Sequence, residues 1–201
     1  MFGAWLGFHY QAKQAAKVTT RQRIEKLADE AAQRDREEAK QRIGRAYARS
    51  LLARHLEAYA RKCADAMWEN TNPEHDKIVA VPALPDWPDI SWELLGADEM
   101  MRIRDIGVHV EMYKEVVDGN LYWGTSGRDD ERRYRADGAA IIGNEAWNIA
   151  VRIRDEAGIS AFVVPHGTGN FADGLAEHVH DRDEERRQAQ DRRDADPNEI
   201  L

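Results

Sequence analysis

The stretch Gln33-Arg34-Asp35-Arg36-Glu37-Glu38-Ala39-Lys40-Gln41-Arg42 is polar on every face of a helix, and the next stretch, Ile43-Gly44-Arg45-Ala46-Tyr47-Ala48-Arg49-Ser50-Leu51-Leu52, is not. Both lie inside one run, Phe8 to Asn72, that holds no proline and a single glycine, Gly44. A helix over the whole run would reach about 95 Å at ~1.5 Å per residue, more than a small domain needs. The boundary near Arg42 therefore predicts a helical arm that leads into a packed core.

Downstream of the boundary, Ile43, Tyr47, Leu51, Leu52, Leu56, Tyr59, Cys63 and Met67 recur at intervals of three and four. That spacing puts them on one face of a helix that needs partners. Cys63 sits on this face, which predicts an inert core residue. Asn70, Asn72 and Pro73 close the helix, because the residue before a proline is pushed out of the α region.

Upstream, residues 11–42 read as a charged helical spacer. Ile24, Leu27, Ala28 and Ala31 form its one short apolar stripe, and i,i+4 pairs add only ~0.2–0.5 kcal/mol each. A bend or frayed turn between Gln33 and Gly44 is expected, since no burial supports the helix there. Residues 1–10 hold Phe2, Trp5, Leu6 and Phe8, and Lys13, Lys17, Arg21 and Arg23 follow. Ten residues cannot cross a bilayer that needs about twenty. Aromatic residues beside a basic flank predict docking on a membrane surface or on a partner protein.

After Pro73 comes an irregular connector, residues 71–97, in which Pro82, Pro85 and Pro88 fall at period three. That is the repeat of a polyproline II helix. Val79, Val81, Leu84, Trp87, Ile90 and Trp92 alternate with them, so the connector is read as a strap over the core rather than a free ligand for a proline-binding groove. A second helix is expected from Asp98 to a stop at Asp118-Gly119-Asn120, with the stripe Ile103, Ile106, Val110, Tyr113 and Val117. A third runs from Asp129 to Ala157 through Tyr134, Ile141 or Ile142, Ala146, Ile149 and Ile153, capped by Gly158.

The fold expectation is thus all-α. A long N-terminal helical arm leads into a three-helix antiparallel bundle over residues 43–158. Residues 159–201 are expected to be a flexible charged tail, because Asp181 to Asp196 contains no large apolar residue and cannot offset its ordering entropy by burial.

The chain of 201 residues carries a net charge of −8 and one cysteine, and its mean hydropathy is −0.72. The charge argues against a nucleic-acid partner. A lone cysteine excludes an intrachain disulfide and fits a cytoplasmic location, at the inner face of a membrane if the N-terminal patch docks there. No catalytic or cofactor-binding residues are assigned and no cofactor is expected. The nearest approach to a metal site is His178-Val179-His180-Asp181, whose alternating imidazoles would converge on a strand. His166-Gly167-Thr168-Gly169-Asn170 lacks both the P-loop lysine and dinucleotide spacing.

The aromatic start, basic flank and charged helix, with Tyr47-Ala48-Arg49-Ser50-Leu51-Leu52, Val81-Pro82-Ala83-Leu84-Pro85, Ile90-Ser91-Trp92 and Met100-Met101-Arg102-Ile103, resemble uncharacterised bacterial and prophage proteins that have an N-terminal membrane helix and a cytoplasmic helical domain. The resemblance implies no activity. The residues point instead to a non-enzymatic interaction or scaffold protein. Two alternatives stand beside it: a phage- or virion-type structural component that self-associates through Ile24, Leu27 and Ala31, and a metal-binding protein using His178 and His180.

Overall fold

The computed structural model describes residues 2–122, 127–160, 162 and 170–195, with backbone alone for residues 2–20, 117, 118, 120–122 and 195. Among these residues there are four α-helices and no strand: α1 (Phe2–Thr71), α2 (Ala97–Tyr122), α3 (Arg128–Ala157) and α4 (Phe171–Ala195). A 3-10 turn, Trp92–Leu94, precedes α2. The chain divides into two compact units, Met1–Arg45 and Ala46–Leu201, so the division falls inside α1.

The first unit is helical from Phe2 onward, and its described side chains from Arg21 to Arg45 are exposed, apart from the half-buried Gly44. Of the bend or frayed turn expected between Gln33 and Gly44, the frayed turn is not seen: the helix is unbroken there. No proline interrupts the backbone ladder, and local pairs support it: Arg21 Nε donates to Glu25 at 3.2 Å and Gln33 Nε2 to Glu37 at 3.1 Å. The arm and the core differ in burial, not in backbone.

The second unit is built around α3. Ala136, Ala139, Ala140, Ala146 and Ala150 are buried on it, together with Gly138 and Gly143. Small residues at spacings of three and four let neighbouring helices approach closely. Leu52, Leu56, Tyr59 and Cys63 from α1, Ile103, Ile106 and Val110 from α2, and Ile142 and Ile153 from α3 share one core with Leu175 of α4. Ile43 and Tyr47, placed on the core seam by spacing, stand 72% and 64% exposed. The buried face of α1 starts at Ala48.

Close approach is tightest at Gly143. A Cβ added there would lie 2.7 Å from Cys63 Cβ and 3.1 and 3.2 Å from the Leu175 methyls. Gly107 of α2 differs, its nearest neighbour being Leu84 Cδ2 at 3.8 Å. The same substitution should therefore have opposite signs. Gly107→Ala gains about 0.5–1 kcal/mol of helix propensity. Gly143→Ala gains the same propensity but forces helices apart, for a net loss of about 2 kcal/mol. Urea unfolding followed by circular dichroism measures both.

The helix ends follow local chemistry. Asn70 is buried at the end of α1; its Nδ2 donates to Val79 O at 2.8 Å, and its Oδ1 accepts Val79 N at 3.0 Å. The side chain thereby satisfies the backbone of the connector as a strand partner would. Tyr59 Oη donates to Pro82 O at 2.9 Å, Val81 is buried, and Trp87, Ile90 and Trp92 pack partly buried against the core. Glu99 accepts Gly96 N at 3.4 Å in the first turn of α2. That helix continues past Gly119 and Asn120 to Tyr122, since a glycine near a helix end weakens the turn without breaking it. The α3 helix closes on Gly158, with φ 63° and ψ 29°, and Ile159 N returns to Arg154 O at 2.9 Å.

The C-terminal segment is not a flexible tail over residues 171–195. It forms α4, held through Phe171, Leu175 and Val179, with Ala172 also buried. One short apolar stripe suffices because polar contacts, invisible in the sequence, continue the attachment beyond it. Of the glycine-bearing stretch, His166 to Gly169 lies outside the described residues, as does the turn Gly124-Thr125-Ser126.

Candidate interaction surfaces

Buried charge in the second unit is tied up in helix-to-helix pairs. Glu57 of α1 and Arg154 of α3 are both buried and face each other as a bidentate pair, with Arg154 Nη2 donating to Glu57 Oε2 at 2.9 Å and Arg154 Nε to Oε1. Arg154 Nη1 also donates to Ser160 O at 2.8 Å. Donating to Glu57 raises the guanidinium pKa against the opposing pull of burial. Arg49 and Glu99 join α1 to α2 in the same way, at 3.1 and 3.0 Å. These pairs fix helix positions, and neither side chain of Glu57–Arg154 is free for chemistry.

His178 and His180 are separated by the helix that carries them. Residues two apart on an α-helix point about 200° from one another. His178 Nε2 turns inward to Asp137 Oδ1 at 3.0 Å, while the exposed His180 lies 3.7 Å from Glu184. Asp181 is exposed. Arg182 closes on the other oxygen of the buried Asp137 as an ion pair. The structure thus uses His178 to dock α4 on α3. Among the described residues no group of three or more His, Cys, Asp or Glu side chains is placed to hold a metal ion.

Cys63 is fully buried, and desolvation pushes its thiol pKa up to about 12. Tyr59 beside it is raised above the usual phenol range, first by burial and then by Cys63. His55 is lowered, mainly by burial, and its ring lies against Trp87 at 5.4 Å. His109 reaches Glu145 at 2.8 Å on the surface. None of these groups converges on a nucleophile.

No known protein family, curated protein or solved structure matches this chain. The surfaces must therefore be read from their own chemistry.

In the first unit, Ile24 and Leu27 stand 62% and 58% exposed. Of the predicted docking residues, Arg21 pairs with Glu25 and Arg23 is exposed. Phe2, Trp5, Leu6, Phe8, Lys13 and Lys17 belong to α1, but their side chains lie outside the described residues. Among the described residues no helix is long and apolar enough to cross a membrane.

In the second unit, α2 is apolar on two sides. Ile103, Ile106 and Val110 face the core, whereas Met101, Val108, Met112 and Val116 are at least half exposed. Beside this outer face runs a groove of about 700 Å³, whose lining includes Trp87, Trp92 and Gly107. Sequence reasoning missed the outer stripe because Arg104, Asp105, Glu111 and Glu115 interrupt it. The signal was present: spacings of seven, four and four between Met101, Val108, Met112 and Val116 keep the four on one side.

Proposed function

We propose that this chain is a non-enzymatic interaction or scaffold protein in which a solvated helical unit and a packed helical unit each offer an apolar stripe to a partner. The observation that carries this reading is the exposure of Ile24 and Leu27 in residues 21–42 of α1, whose other large side chains are all polar. Single exposed apolar residues are ordinary. Two of them at i,i+3, continued by Ala28 and Ala31, make a seam of the kind a second helix covers.

In this reading, antiparallel packing of the first three core helices and a connector lying as a strap hold the second unit rigid. The stripe on the arm equally supports the narrower reading of a phage- or virion-type component that assembles through its arms. Docking of Phe2, Trp5, Leu6 and Phe8 on the cytoplasmic face of a membrane, with Lys13, Lys17, Arg21 and Arg23 against anionic headgroups, is a further proposal. It requires that deleting residues 1–10 abolish flotation with anionic liposomes.

Sedimentation velocity of the full chain tests the arm. Association should increase with concentration and fall when Ile24→Glu and Leu27→Glu are combined, because each would place a charge in the seam. A chain that stays monomeric throughout, or whose association is unchanged by the pair, contradicts the role given to the arm.

A further inference from the structure

We infer that the outer face of α2 is a two-fold interface on which a second copy of this chain docks its own α2 in antiparallel orientation. The inference rests on reading the chain as an interaction protein, but not on the arm. At about 100° per residue, Met101, Val108 and Met112 fall within about 40° of one another, Val116 borders them, and the exposed Asp105 falls between Met112 and Val116. The core stripe of Ile103, Ile106 and Val110 lies on the opposite side. A helix inside a single isolated domain needs only one such stripe. Among the described residues nothing covers the second one, and its side chains are half or more exposed.

Charge selects the occupant. On one flank of the stripe, Arg104 stands toward the N-terminal end, and Glu111 and Glu115 toward the C-terminal end. Among the described residues Arg104 and Glu115 have no ion-pair partner, and Glu111 has only its neighbour Lys114, at 2.7 Å. A uniformly basic or acidic partner helix would meet a like charge at one end. A parallel copy would set Arg104 against Arg104 and glutamate against glutamate. An antiparallel copy, with the axis near Val108, brings Arg104 between the partner's Glu111 and the partner's Glu115, and the same contact repeats on the other side. Met101 then meets the partner's Val116, and Val108 packs near the partner's Val108. Such self-complementarity is what an isologous contact requires. Gly107 lines the adjoining groove with Trp87 and Trp92, and the flank of the incoming helix would lie along it.

The test is sedimentation velocity on the full chain in four forms. The wild type should contain a dimer contact that survives in the arm variant Ile24→Glu/Leu27→Glu. Arg104→Glu should raise the dissociation constant of that contact about a hundredfold, since it creates two like-charge clusters across the axis. Adding Glu111→Arg and Glu115→Arg to Arg104→Glu should restore dimerisation. All these positions are exposed, so circular dichroism should show the fold intact. Val108→Cys supplies an independent measurement: it should form an intermolecular disulfide on mild oxidation, with the buried Cys63 unable to compete. Overturning results are a monomeric arm variant, a dimer indifferent to Arg104→Glu, or a charge exchange that fails to restore what Arg104→Glu removes. If Arg104→Glu changes nothing while the arm variant dissociates, the arm reading stands and this one falls.

Discussion

Glu57→Ala should destabilise the second unit by about 3–5 kcal/mol, the largest effect expected of any single substitution considered. The carboxylate is 3% exposed and Arg154 is 8% exposed. Removing the acid leaves a guanidinium that cannot lose its proton buried in the core without a counter-charge, and the structure must either admit water or open. Such a loss consumes much of the ~5–15 kcal/mol that holds a typical domain together. The origin of the loss can be checked with a double variant. Glu57→Leu with Arg154→Met removes both charges and should lose less than Glu57→Ala alone, because no uncompensated ion remains. Thermal or urea unfolding of the three proteins measures the difference. Equal loss in single and double variants would mean that packing, rather than charge, governs the site.

Leu175→Ala is the second. The side chain is fully buried, and its methyls lie over Gly143. Truncation should cost about 3 kcal/mol through lost transfer energy and the remaining cavity. It should also loosen α4 selectively. Phe171, which packs edge-on to Trp147 at 5.1 Å, would remain at one end. Asp137 with His178 and Arg182 would remain at the other. Hydrogen exchange should therefore accelerate between Ala172 and Val179 more than in α3. A uniform effect over all four helices would show that α4 and the rest of the unit open only together.

What could be read from the residues divides along the same physical line. The α3 seam was legible through Ala146, Ile149 and Ile153, and its end through Gly158, because periodicity and a left-handed glycine are local signals. The all-helical class and the long first helix followed from the same local rules. α4 was hidden by its charge: one apolar stripe of four residues is followed by a polar run, and the contact to Asp137 spans 41 positions in sequence. Spacing cannot reveal such a pair. The outer stripe of α2 was overlooked because the inner one already accounted for a helix.

The arm taught the converse lesson. Its polar composition suggested a bend or frayed turn between Gln33 and Gly44, yet polarity removes tertiary support without removing the backbone ladder. Helix and burial are separate properties: α1 is helical throughout its described length, and its buried face begins at Ala48.

That separation is the central claim, and hydrogen exchange along α1 tests it most directly. In dilute solution, amides from Arg21 to Ile43 should exchange by local opening, orders of magnitude faster than those from Leu52 to Met67, whose exchange should approach the global unfolding limit. A single uniform protection level from Arg21 to Met67 would contradict it, since α1 would then open as one cooperative unit.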